Sequence, residues 1–412
     1  MPNVHRNAEA LHQPYPRPDA YHALAMPIYH TASFDFETAE AMEEAFCGRS
    51  DDYLYSRIAN PTVQHLEGRV RTLTDARHVM AFGSGMAAIS NALMTLAAAG
   101  QNIVASRHLF GNTVSFLSST LSAFGVTTRF VDLTDVEQVK QAIDENTCAL
   151  FLEVLTNPQL EVTDLRLLSA LAHSRGVPVV ADTTLIPFTA FSAKALGVDI
   201  ELVSSTKYIS GGGTSLGGLL IDYGQFDWRT NRKLVPNATT TSSIDAFNTR
   251  LRSEVARNLG ALLSPHAAYM QLLGLETLAI RYTQQSTTCL TIAEALSQWP
   301  EVKAVNYTGL KNNPYHALAT AQYGALQGAM LTFDLDSKAH CYTLMNKLQC
   351  IRRATNLFEH KSLIIHPAST IYGNFTPVQR AAMCIHDTTL RLSVGLEPAE
   401  LLLQDLAQAL GH

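Results

Sequence analysis

From about residue 60 onward, short apolar runs rich in β-branched residues alternate with longer stretches that repeat at the period of a half-buried helix. HVMAF (78–82) precedes AAISNALMTLAAA, and NIVAS (102–106) precedes VSFLSSTLSAF. ALFLEVL (149–155) and PVVADTT (178–184) each follow a further helical pattern. Strands that stay apolar at successive positions are buried on both faces. Strand and helix in alternation therefore predict a parallel sheet covered by helices on both sides. Ligands of such sheets gather at the carboxyl ends of the strands.

The two ends of the chain read differently. Residues 1–50 are polar and rich in Pro and His, then amphipathic in FETAEAMEEAF. An arm of this kind wraps a partner subunit or packs on its own domain. Beyond about residue 250 come long helical patterns (264–298), an alternating strand LTFDL and a second one in TLRLSVG. The expected division is an arm over 1–58, a large α/β domain over 59–248 and a smaller α+β domain over 249–412. A length of 412 residues exceeds one ordinary core and agrees with more than one domain.

Composition removes several classes of function. Hydrophobic residues make up 47% and charged ones 16%, the balance of a well-buried globular enzyme. With a net charge of −6 and no Lys/Arg run, the chain lacks the electrostatic footprint of a nucleic-acid binder. No eighteen apolar residues run together, so no membrane span is expected, and the first twenty residues lack the apolar core of a signal peptide. The six cysteines are scattered without a CxxC pair, which argues for reduced thiols rather than disulfides or a zinc site. The expected location is the cytoplasm.

Candidate chemistry sits just after the apolar runs. IELV (200–203) opens into SSTKYISGGG, placing Lys207 between hydroxyls and glycines, and Asp182 precedes it by 25 residues. A lysine able to form a Schiff base and an acid able to hold a pyridinium nitrogen are what pyridoxal phosphate requires of a protein. The plainer readings are a solvated lysine and an Asp that caps the next element. FGSGMAA (82–88) joins strand to helix through Gly83 and Gly85, and backbone N–H groups at a helix start can hold a phosphate. Ser204 and Thr206 would add hydroxyl donors there. YSRIANPT carries Tyr55 and Arg57 ahead of an Asn-Pro turn, and TNPQLEVTD sets Asn157 in a second such turn. In LRLSVGLE, period two places Leu390, Leu392 and Val394 on one face and Arg391 on the other, either in solvent or lining a cleft as a carboxylate clamp.

Taken together, the order SGM, NP, DTT, STK and RLSVGLE resembles the cystathionine γ-synthase family of Cys/Met-metabolism enzymes, over nearly the whole chain from about residue 26. The resemblance implies the fold-type-I pyridoxal phosphate architecture: a mostly parallel seven-stranded central sheet flanked by helices, plus a smaller C-terminal α+β domain. It also implies roles. Lys207 matches the Schiff-base lysine and Asp182 the partner of the pyridine nitrogen; Gly85, Met86, Ser204 and Thr206 match the phosphate cradle. Tyr55 and Arg57 match residues that reach the neighbouring subunit's phosphate, and Tyr55 also borders the substrate. Asn157 matches the residue near the phenolic oxygen, and Arg391 the clamp on the substrate α-carboxylate. The arm then contacts a neighbouring subunit, and the assembly is a dimer with shared sites, doubled to a tetramer. One departure stands out: Phe110 in HLFGNT occupies the place of a ring-stacking tyrosine, keeping the ring face and losing the hydroxyl.

Segments 259–278, VNYTGL, NPYHALA and Asn356 ahead of KSLIIHPAST resemble the O-acylhomoserine sulfhydrylases, and Asn112 and Asn356 are expected on the substrate side. LFEH (357–360) departs from the GD-containing turn common there. The expected activity is γ-replacement on an O-acylhomoserine by sulfide or a thiol in methionine biosynthesis. The rivals are a carbon–sulfur lyase (cystathionine β-lyase, or cystathionine or methionine γ-lyase) and a catalytically weak cofactor-binding regulator.

Overall fold

The computed structural model describes residues 4–15, 19–236 and 242–411. Seven strands form the larger sheet: β1 (His78–Phe82), β2 (Asn102–Ser106), β3 (Thr127–Val131), β4 (Thr147–Glu153), β5 (Val179–Asp182), β6 (Ile200–Val203) and β7 (Gly218–Asp222). Their spatial order is β1-β7-β6-β5-β4-β2-β3. β6, β5, β4, β2 and β3 run parallel, while β7 lies antiparallel to both β6 and β1. HVMAF, NIVAS and IELV have the expected bounds; the β4 strand begins two residues earlier than its apolar run and ends at Glu153.

Alternate residues of each strand feed two different cores, which is why the runs look continuously apolar. Val79, Leu150, Leu152, Val179 and Val203 pack with the helices Pro61–Thr74 and Leu165–Ser174. Met80, Phe82, Phe151, Val180 and Leu202 pack with the helix Gly85–Leu96 and with Trp228 and Phe247. Asp182 and Glu153, following Val180 and Phe151 at an interval of two, therefore point to the face of the Gly85–Leu96 helix. The open edge of β1 is closed by side chains: Arg252 donates to the Val79 carbonyl (2.5 Å), and Glu67 accepts from the Ala81 N–H (2.8 Å). This occupies backbone groups that would otherwise pair with another strand.

A second sheet contains β8 (Ala304–Asn306), β9 (Met330–Asp334), β10 (Arg352–Arg353), β11 (Leu363–Ile365) and β12 (Thr389–Ser393), in the order β10-β11-β12-β9-β8. Leu390, Leu392 and Val394 join the first core, so one apolar body runs between the two sheets. Arg391 lies on the opposite face, as period two requires. The pattern read as one long helix over 264–298 is two helices, Pro265–Glu276 and Leu278–Leu296, parted at Thr277, where the first is capped. The first Asn-Pro pair begins a helix instead of making a turn: Asn60 is the N-cap of Pro61–Thr74 and accepts from the Thr62 N–H at 3.0 Å. Among the described residues, no helix is long and apolar enough to cross a membrane.

Register decides what meets at the carboxyl ends. β7 sits between β1 and β6, with Phe82 opposite Gly218 and Val203 opposite Leu219, so the loops leaving β1 and β6 flank the start of β7. A Cβ at Gly218 would lie 2.1 Å from the Ser84 carbonyl oxygen. Gly218→Ala is expected to lower unfolding stability by about 1–3 kcal/mol, because a backbone atom has no room to yield. A urea midpoint equal to that of the parent chain would show that the loop is slack.

Candidate active site

β1, β2, β4, β5 and β6 deliver the residues at or after their carboxyl ends to one place. The loop after β1 gives Gly83, Ser84 and the start of the Gly85–Leu96 helix, with the Ser84 hydroxyl accepting from the Ala87 N–H at 3.1 Å. The N–H groups of Gly85 and Met86 fall in the first helical turn, where no intrahelical acceptor exists. Gly85 is needed on steric grounds: a Cβ there would stand 2.8 Å from Ser204 Cβ and 3.0 Å from its Oγ. Helix start and Ser204 thus form two walls of one small recess, suited to a phosphate by its donors and by the helix dipole. The Thr206 hydroxyl is engaged with Gly217, accepting its N–H at 3.0 Å and donating to its carbonyl at 3.2 Å.

Asp182 ends β5, and its Oδ1 accepts from the Thr184 N–H at 2.9 Å, a local turn and not a helix cap. Its register partner on β4 is Glu153. Burial raises both carboxyls, and in Glu153 the charge of Asp182 adds to the effect. Glu153 was not anticipated as a site residue. Its two oxygens accept from the Phe110 N–H (2.5 Å) and the Asn157 N–H (3.3 Å), so one side chain anchors both loops expected to border the cofactor ring. The only signal in the sequence is a carboxylate inside an otherwise apolar run.

Lys207 lies in the turns after β6, with its Nζ donating to Asn356 Oδ1 at 2.5 Å. Its pKa is lowered to about 8, first by burial and then by the charge of Arg391, with Glu359 opposing. Arg391 is 2% exposed; it donates to Asn157 Oδ1 at 3.0 Å and to the Thr355 carbonyl at 3.3 Å, and its Nε has no partner. Burial brings its pKa down to about 10. Among the described residues no carboxylate pairs with this guanidinium. A buried cation left so is costly unless an anion arrives. Asn157 is itself fixed from behind, since the Tyr372 hydroxyl donates to its carbonyl at 2.9 Å.

The structure therefore gathers Gly85, Met86, Asp182, Asn157, Ser204, Thr206, Lys207, Asn356 and Arg391, with the Phe110 backbone on Glu153. Asn112 is exposed on the short helix Gly111–Ser115. Tyr55 and Arg57 are exposed and outside this group: Arg57 donates to the Arg257 carbonyl at 2.7 Å and lies 5.6 Å from the Tyr55 ring centroid. The donor set fits pyridoxal phosphate: unpaired N–H groups and a hydroxyl for the phosphate, a buried acid for the ring nitrogen, and a partly neutral lysine for the aldehyde.

Fold and site together define a pyridoxal phosphate enzyme of fold type I. Residues 7–411 match the family model of the Cys/Met metabolism PLP-dependent enzymes, and the chain belongs to that family. It is 45% identical to an O-acetylhomoserine sulfhydrylase of the methionine biosynthetic pathway of Wolinella succinogenes, over 86% of this chain and 98% of that one, with a TM-score of 0.77. A Campylobacter jejuni structure assigned as an O-acetylhomoserine (thiol)-lyase, holding a pyridoxyl-lysine monophosphate, superimposes with a TM-score of 0.94 at 32% identity, covering 99% of this chain and 100% of that one. L-methionine γ-lyase of Porphyromonas gingivalis is 36% identical, over 95% of this chain and 94% of its own.

Removing Glu153 tests its double anchorage. Glu153→Ala strands two N–H donors at about 1–3 kcal/mol each, which should raise the dissociation constant for pyridoxal phosphate at least about tenfold. Glu153→Gln retains one acceptor oxygen and should lose about half as much free energy. Equal affinities in all three proteins would contradict the assignment.

Proposed function

We propose that the enzyme replaces the γ-acyloxy group of an O-acylhomoserine with sulfide or a thiol, giving homocysteine or a thioether. The observation that carries the substrate class is Arg391, a buried guanidinium without an acid partner, beside a lysine whose own charge is disfavoured. An amino-acid carboxylate supplies the missing anion and can be gripped through two parallel N–H donors.

In this reading the N–H groups of Gly85 and Met86, with the Ser204 hydroxyl, would hold the cofactor phosphate, Asp182 would hold the ring nitrogen, and Phe110 would offer an aromatic face to the ring. When bound, pyridoxal phosphate supplies the electron sink that acidifies the substrate α-carbon. Arg391 seats the substrate carboxylate and Asn157 keeps the guanidinium in place. Lys207, its pKa lowered to about 8 by burial and by Arg391, gives up its proton more readily than an exposed lysine and, once neutral, removes the proton from Cα. A second proton shift, from Cβ, allows the γ-substituent to leave, and the sulfur nucleophile takes its position. Phe110 offers no hydroxyl to protonate the leaving group. A carboxylate leaves as a weak base and needs such help least, which favours an acyl ester over a thiolate leaving group.

We also infer a dimer with shared sites, doubled to a tetramer. Support comes from the arm, where Tyr21 and Leu24 are 91% and 102% exposed, and from Tyr55 and Arg57, whose side chains are exposed. A cytoplasmic location agrees with six cysteines present as free thiols.

The second reading, a carbon–sulfur lyase, rests on the similarity to a methionine γ-lyase. Product analysis on O-acetylhomoserine with and without sulfide, on cystathionine and on methionine separates the two. Homocysteine formed only when sulfide is present is the expected result. Ammonia and a 2-oxo acid from methionine or cystathionine at comparable rates would select the lyase. No reaction and no spectral response with any of these would select the regulator.

A further inference from the structure

The glycine run after Lys207 and the LFEH turn are explained by one another. A Cβ at Gly213, where φ is +65°, would fall 2.4 Å from Glu359 Oε1, so the run leaves the space that the Glu359 carboxylate occupies. The turn is held from its other side by Phe358. This residue is buried at φ +56°, its ring lies 3.9 Å from that of Tyr208 at an interplanar angle of 5°, and its N–H donates to Ser393 Oγ at 2.7 Å. Tyr208 is the neighbour of Lys207 in sequence. The His360 N–H donates to the Gly211 carbonyl at 2.9 Å, closing the turn onto the glycine run.

The carboxylate so placed has one consequence at the lysine. Asn356 Nδ2 donates to Glu359 Oε1 at 2.5 Å, while Asn356 Oδ1 receives the Lys207 ammonium at 2.5 Å. An ionised carboxylate only accepts hydrogen bonds, so it must face the amide nitrogen, and the amide oxygen is left for the amine. We infer that Glu359 is a positioning residue that fixes the Asn356 amide with its oxygen toward Lys207, and so holds the lysine amine beside Arg391. This rests on the assignment of Lys207 as the cofactor-bearing lysine. The charged groups that act on Lys207 are Arg391 on β12 and Glu359 in this turn, with opposite effects on its charge. Glu359 thus sets how far burial and Arg391 can neutralise the amine. A glutamine at 359 either donates or accepts, which frees the amide to turn over and removes the one negative charge opposing Arg391.

The test measures the amine directly. In cofactor-free full-length chain, acetylation of Lys207 by an amine-reactive anhydride is followed against pH and quantified on its peptide. Glu359→Gln should move the midpoint downward by about half to one pH unit, giving roughly three- to tenfold more neutral amine on the acid side of the midpoint. Glu359→Asp, which keeps the charge, should restore much of the parental midpoint. In the holoenzymes the acid limb of the kcat profile should shift the same way. An unmoved acetylation midpoint in Glu359→Gln overturns the inference, whatever happens to activity. Borohydride reduction of the parent holoenzyme followed by peptide mapping is the separate check. A reduced cofactor on any residue other than Lys207 overturns the site assignment, and this inference with it.

Discussion

Two positive charges, Lys207 and Arg391, share one buried cleft, and the rest of the site is arranged around that repulsion. Burial and the neighbouring guanidinium bring the lysine to about 8, and burial brings the arginine to about 10. The groups that touch them directly are neutral amides. Asn157 turns its oxygen to the guanidinium and Asn356 turns its oxygen to the ammonium. An amide oxygen satisfies a donor without cancelling its charge. A carboxylate at residue 157 would pair with Arg391 permanently and compete with a substrate for it. The positive charge of the cleft is therefore left uncancelled by the groups that touch it, while most of its N–H groups are satisfied.

What assembles the cleft is the antiparallel strand β7 set between β1 and β6. It brings the loops after two parallel strands to either side of one strand start, at distances that only glycine permits, at Gly85 and Gly218. On the other side, Glu153 ties the loop bearing Phe110 to the loop bearing Asn157. Tyr372, from the C-terminal part of the chain, then pins Asn157 where Arg391 reaches it. Sheet register, one buried acid and one tyrosine connect residues from 84 to 391 into a single site.

Much of this was legible in the sequence. The β1, β2 and β6 bounds follow from apolar runs, because short β-branched runs between turn residues mark strands buried on both faces; β4 is displaced from its run by two residues. Lys207 and Asp182 stand out because their polar groups end such runs. Glu153 and Glu359 did not stand out, since their roles depend on backbone N–H groups and amides far away in the chain; the Lys207–Asn356 contact spans 149 positions. The break at Thr277 is marked only by Gly274 three residues earlier, and an Asn-Pro pair marks a helix start as readily as a turn. Tyr55 and Arg57 are identified by resemblance alone, and within one chain Arg57 bonds the Arg257 carbonyl. The comparisons divide between sulfhydrylases and a γ-lyase on the same scaffold, so the choice of reaction falls to local features such as Phe110 and Asn356 and not to the fold.

The central claim is that the Lys207 amine carries pyridoxal phosphate in this charged cleft. Lys207→Ala, titrated with pyridoxal phosphate beside the parent chain, tests it most directly through the visible absorption of a lysine-linked pyridoxal. The parent should develop that band with saturation at one equivalent per chain, and the variant should show only the spectrum of free cofactor. The same band, at the same stoichiometry, in Lys207→Ala would contradict the account.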